Sequence, residues 1–181
     1  MNAFPVESQQ RLLAEHGFAH WFGGQWVSID DGKEVARRLH VEAETIVTCD
    51  LRTAVRSYSP ASEARRIWIS PLAAGWSHIL GLGGSMPSAE MLSTGGRRVF
   101  EIHFFGETGE VEPPFYAFDG TGSVDFFSEE EYSAHWEDLE YDGTLSPAEE
   151  LEQYLIIMGR IAGRFLDRAW VSSQGLLCTI P

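Results

Sequence analysis

Residues 98–105 carry the clearest pattern in the chain. Phe100, Ile102 and Phe104 share one face of an extended run, and Val99, Glu101, His103 and Phe105 share the other. A period of two with a fully apolar set predicts a strand with that set toward the core. Residues 66–70 and 76–80 predict two more strands, joined across Pro71 to Gly75. Residues 115–118 and 123–127 flank Asp119-Gly120-Thr121-Gly122, a hairpin signal. The aromatic stretch 18–29, with Gly23-Gly24 at its middle, reads as two short strands around a glycine turn. Residues 45–49 and 175–180 add β-branched and apolar strands, while 51–58 fits a helix face or a strand equally.

Helical spacing appears elsewhere. Val6, Leu12 and Leu13 predict a helix over 5–16, stopped by Gly17. Asp31 to Glu34 has capping-box spacing ahead of Val35 and Leu39, and Pro87 suits the start of a short helix to about 92. Ser128-Glu129-Glu130-Glu131 repeats the box and predicts a helix to about 139. Ser146-Pro147-Ala148-Glu149 opens a longer one, whose Leu151, Tyr154, Leu155, Met158, Ile161, Ala162 and Phe165 form an apolar stripe to about Asp167. Strands without regular βαβ alternation predict an α+β fold. Its sheet is expected to be a mostly antiparallel meander with helices packed on one face and a long amphipathic helix near the C-terminus.

The 181 residues suit one domain, 1–181, able to bury about 70% of its unfolded surface. No apolar run approaches the roughly 18 residues of a membrane span, and the first residues lack the basic and apolar regions of a secretion signal. Cys49 and Cys178 lie outside any metal or redox spacing and read as buried thiols in the cytoplasm.

Charge changes the picture most. The net charge is −14, and residues 99–159 contain sixteen of the 27 acids and no Lys or Arg. Such a field repels nucleic acid and anionic lipid and attracts a basic protein, though it also serves solubility. Carboxylates at helix starts, such as Glu129 to Glu131 and Glu149 to Glu150, have a local reason in the helix dipole. The cluster Glu137, Asp138, Glu140 and Asp142 falls at a helix end, where the dipole disfavours it. Glu129, Glu130, Glu131, Glu137, Asp138, Glu140 and Asp142, with Tyr132, Trp136 and Tyr141 as anchors, are the candidate partner-binding residues.

Candidate chemistry is sparse. Glu101 and His103 share a strand face, and His78 lies in a strand that would be a neighbour; together they would form a metal or acid–base group. Glycines 81, 83 and 84 between a strand and a helix suit either a phosphate cradle or a turn, without the lysine of a P-loop. Asp119 reads as a turn former, and His135, in an acidic helix, as a surface histidine of raised pKa. Nucleophile elbows, zinc-protease motifs and paired cysteines do not occur, so the residues nominate no catalytic group, metal or cofactor.

The run Gly75 to Leu80, the segment Met91-Leu92-Ser93-Thr94-Gly95-Gly96, the strand at 97–105 and the hairpin from Phe115 to Gly120 occur in that order. Residues 66–127 thereby resemble small acidic α+β domains of unknown function from high-GC bacteria. They are similar in character to immunity proteins that neutralise toxins. The resemblance implies toxin binding and carries over no catalytic residue. Three functions therefore stand as expectations. The first is a non-enzymatic inhibitor with an acidic face. The second is a small-ligand or metal-dependent enzyme at His78, Glu101 and His103. The third is a structural or oligomerising domain.

Overall fold

The computed structural model describes residues 3–59, 61, 63–123, 125–139 and 143–181. Its strands are β1 (Trp21–Val27), β2 (Val47–Cys49), β3 (Arg65–Ala73), β4 (Trp76–Gly83), β5 (Arg98–Phe105), β6 (Glu110–Val111), β7 (Phe115–Phe118), β8 (Thr121–Ser123) and β9 (Gly175–Ile180). They form one open sheet in the order β2-β9-β3-β4-β1-β5-β7-β8, with β6 also pairing β5. Every pair is antiparallel.

The order departs from a simple meander. β1 inserts between β4 and β5, and β9 returns to lie between β2 and β3. The expected glycine turn inside 18–29 is absent because Gly23 and Gly24 sit beneath rings of their own strand. A Cβ on Gly23 would come within 2.9 Å of the Trp21 ring, and one on Gly24 within 2.5 Å of Phe22. The glycines thus let aromatic rings lie flat on a continuous strand.

The helices are α1 (Gln9–Leu13), α2 (Gly32–Arg38), α3 (Leu51–Arg56), α4 (Ala89–Ser93), α5 (Pro147–Ala162) and α6 (Arg168–Val171). α1 runs on into a π-helical turn at Ala14–Phe18 that contains Gly17 at φ 101°. The ambiguous stretch after residue 50 is helical because Asp50 caps it, accepting from the Thr53 N–H at 2.8 Å.

Helices cover both faces of the sheet, where one was expected. Trp26, Trp68, Leu80, Phe100, Ile102 and Tyr116 point to a face packed by α1, α3, α5 and α6. Val27, Ile67, Ile69, Ile79, Val99 and Ala117 point to the other, packed by α2 and α4. With two apolar faces, one layer of helices cannot keep the sheet dry.

α5 begins with the predicted capping box at Ser146 and Glu149 but stops at Ala162, where Gly163 takes the left-handed conformation at φ 80°. Phe165 therefore leaves the helical stripe and lays its ring over Gly159. The box expected at Ser128 does not form. Its hydroxyl turns back to the Asp125 carbonyl at 2.8 Å, and two 3₁₀ segments, Phe126–Ser128 and Glu130–His135, replace the helix.

On the first face α6 is bonded to the sheet by Trp170, whose Nε1–H donates to Ser70 Oγ at 2.8 Å. Both side chains are fully buried. Ser70→Ala leaves that N–H without its partner, so it should cost about 1–3 kcal/mol. Urea unfolding measures this loss, and Thr at the same position should recover part of it.

Candidate functional site

Strand register separates the three residues nominated for acid–base or metal chemistry. His78 pairs with Trp26, and Trp26 pairs with Phe100, so His78 shares the face of Phe100. Glu101 and His103 occupy the opposite face. The trio does not converge. Among the described residues no group of three or more His, Cys, Asp or Glu side chains is placed to hold a metal ion.

His78 is fully buried, between the edges of Trp26 and Trp170 at ring-centroid distances of 4.6 and 5.2 Å. Neither ring nitrogen has a protein hydrogen-bond partner. Desolvation pushes its pKa down to about 3, so it is a neutral core ring at pH 7.

On the other face Glu101 forms a small polar cluster. Its carboxylate accepts from Gln25 Nε2 and bonds His103 Nε2 at 2.8 Å. Gln25, fully buried, also donates to the Pro87 carbonyl at 2.7 Å. Glu112 lies 3.9 Å from the remaining His103 nitrogen. The hydrogen bond to Glu101 raises the His103 pKa against the opposing effect of burial. This pair can hold a proton, yet the clefts described in the fold are lined by other residues.

The acidic segment faces differently from expectation. Tyr132 is buried against Phe100, Tyr116 and Phe126, and its hydroxyl donates to Tyr116 at 3.3 Å. Trp136 is half-buried against Phe126 and Phe127. Neither is an exposed anchor; both pin the segment to its own core, because their apolar rings are worth more buried than wet. Asp138 pairs with Arg160, whose side chain is 3% exposed and also donates to the carbonyls of Ala3 and His135. His135 is accordingly lowered in pKa, by burial and then by Arg160, where a raised value was expected. Glu130, Glu131 and Glu137 are exposed and Glu129 is half-buried. Glu140, Tyr141 and Asp142 lie outside the described residues.

Other acids of the window have local bonds that sequence reading missed. Glu152 accepts from Ser8, Gln9 and Gln10 and so caps α1 from 142 residues or more away. Glu150 accepts from Tyr154, and Asp119 accepts from the Gly95 and Gly96 N–H groups at the β7–β8 turn. The glycines at 81 and 83 continue β4, and α4 starts only at Ala89, so no strand–loop–helix phosphate cradle exists there.

The fold and these clusters define an open antiparallel α+β sheet protein with an acidic layer. No protein-family model, curated protein or solved structure matches the chain.

Two titrations follow. His103 should titrate above the ordinary histidine value by NMR, and Glu101→Gln should lower it, since burial is then opposed only by the charge of Glu112. His78 has a folded pKa below its unfolded one, so its contribution is complete above about 6.5 and falls with pH toward about 3. Its share of the loss should steepen from about 0.7 kcal/mol per unit at pH 6.5 to about 1.4 kcal/mol per unit near pH 5 in urea unfolding, and His78→Leu should remove that share.

Proposed function

We propose that this domain works by binding and that its acidic layer receives a basic protein, most concretely a toxin or enzyme whose active site it covers. One observation supports the reading. Phe126, Tyr132 and Trp136 clamp the layer from below, while Glu130, Glu131 and Glu137 stay exposed above it. The layer is therefore held in place before any partner arrives, which lowers the ordering cost of association. No Lys or Arg occurs from residue 99 to 159, so the positive charge that reaches the layer comes from the flanking Arg98 and Arg160. A field of this kind raises association rates more than it deepens affinity.

A protein of this type belongs in a reducing compartment, and its two cysteines agree with that. Both are free and buried, and desolvation pushes Cys178 up to about 12, far from the reactive thiolate range. Among the described residues no helix is long and apolar enough to cross a membrane.

Affinity capture from the native host should retain a basic partner at low salt. The triple variant Glu130→Lys, Glu131→Lys, Glu137→Lys should slow association with that partner by about tenfold or more while leaving the melting temperature near that of the parent. Binding that ignores both salt and this variant rejects the acidic layer as the interface.

A further inference from the structure

At its β2 edge the sheet extends beyond its helical cover. A helix about 10 Å across covers about two strands, which lie about 4.8 Å apart. On the second face α2 packs on β3 and β9. It starts close to that layer, since a Cβ on Gly32 would be 3.4 Å from both Ile69 and Leu176. β2 lies one strand further out and ends the sheet. Register sets Thr48 beside Leu176 and Leu176 beside Ile69, so the three share one face. Exposure rises along that row: Ile69 is buried, Leu176 half-buried and Thr48 exposed.

The chain leaving α2 supplies the rest of the wall. His40 takes the left-handed conformation at φ 57°, and the Val41 N–H donates to the Ala36 carbonyl at 3.0 Å. A 3₁₀ turn at Ala43–Thr45 then leads to β2. Between these parts lies a cleft of about 410 Å³ with Val41, Ala43, Ile46 and Leu176 as its apolar lining. Its polar groups are Thr48 and two cations, Lys33 and Arg37, one turn apart on α2. No carboxylate lines it, in a chain whose net charge is −14. Lys33 is exposed, and among the described residues no carboxylate pairs with it. Arg37 bonds Glu34 through Nε and Nη2 at 2.7 and 2.8 Å, so its charge is answered in part. From Asp31 to Arg38 three cations stand against two carboxylates, an excess of one positive charge.

We propose that this cleft binds a small amphiphilic monoanion, an aliphatic carboxylate. Its chain lies along Val41, Ile46 and Leu176, where burial of apolar surface supplies the affinity. Its carboxylate lies at Lys33 and Arg37, which donate charge-assisted hydrogen bonds. The volume falls within the range of about 300–1,000 Å³ of small-molecule sites, as does an apolar lining with few polar groups. One excess positive charge suits a monoanion better than a dianion such as phosphate, and the apolar lining gives a bare anion nothing to bury. The cleft and the acidic layer lie on opposite faces of the sheet, so its fate is independent of the protein partner proposed above.

Octanoate, octanol, acetate and inorganic phosphate serve as probes, read by thermal shift and by NMR titration of the full chain. Octanoate should raise the melting temperature saturably, because it binds the folded state. Octanol and acetate, each lacking one half of the interaction, should bind about fivefold more weakly or worse. Lys33→Gln should weaken octanoate about fivefold and leave octanol unchanged. Thr48→Glu brings a carboxylate into the cleft from an exposed position. It should abolish octanoate binding while the unliganded chain melts near the parent, and Thr48→Gln should retain binding. No saturable response to octanoate at millimolar concentration, or one that survives Thr48→Glu, overturns the proposal. Octanol bound as tightly as octanoate overturns the anion assignment, and acetate or phosphate bound as tightly overturns the apolar one. A dimer in light scattering that Thr48→Glu splits also overturns it, by giving the β2 edge to a second copy of the chain.

Discussion

One row of side chains, running across six strands on a single face, sets most of the architecture. Ser70, His78, Trp26, Phe100, Tyr116 and Ser123 are successive cross-strand partners from β3 to β8. Segments far away in sequence close over it. Trp170 of α6 bonds Ser70 and meets the His78 ring, while Phe126 and Tyr132 pack edge-on to Phe100 at 5.6 and 5.2 Å. A one-residue slip of any strand would exchange this row for the opposite face, so the row also holds register. The insertion of β1 matters for this reason: it supplies Trp26 between His78 and Phe100.

The row explains why the acidic segment is where it is. Its aromatic residues complete the cover over Phe100 and Tyr116, so the charge is carried outward by default. Arginines at either end of the acidic window turn inward to it. Arg160 pairs with Asp138, and Arg98 lies over the Trp76 ring at 5.2 Å and offsets a small part of the burial that raises the Tyr116 and Tyr132 pKa values. Much of the bulk acidity is thus internal bonding: Glu101 to Gln25 and His103, Glu149 in a cap, Glu152 at α1, Asp119 in a turn. What remains for a partner is a smaller set, led by Glu130, Glu131 and Glu137.

Local signals in the sequence were legible where one element decided the outcome. The faces of β5, the box at Ser146 and the Asp119-Gly120 turn, with φ of 48° and 84°, follow from spacing and turn chemistry. Failures came where tertiary packing outweighed local preference. The glycine pair in β1 looked like a turn because nothing local reveals that Trp21 and Phe22 lie over it. Ser128 looked like a cap, but burial of Phe126 and Tyr132 drew the backbone into 3₁₀ turns instead. His78 and Glu101 looked like possible partners until strand order put them on opposite faces. Parity within one strand is a sequence property, whereas parity between strands depends on register.

The acidic layer sits where a local signal is overruled. The β3–β4 pairing shifts register twice, between Arg66 and Ile67 and between Pro71 and Ala73. At Leu82 an extra residue sends adjacent glycines to opposite faces, and at Ser128 a capping signal is overruled. Folded chains keep such inconsistencies only where surrounding packing over-determines them, and they concentrate at functional positions. The overruled cap leaves a charged layer on an aromatic base. The neutral, desolvated His78 belongs to that aromatic row, packed between Trp26 and Trp170, where a ring without a hydrogen-bond partner serves packing.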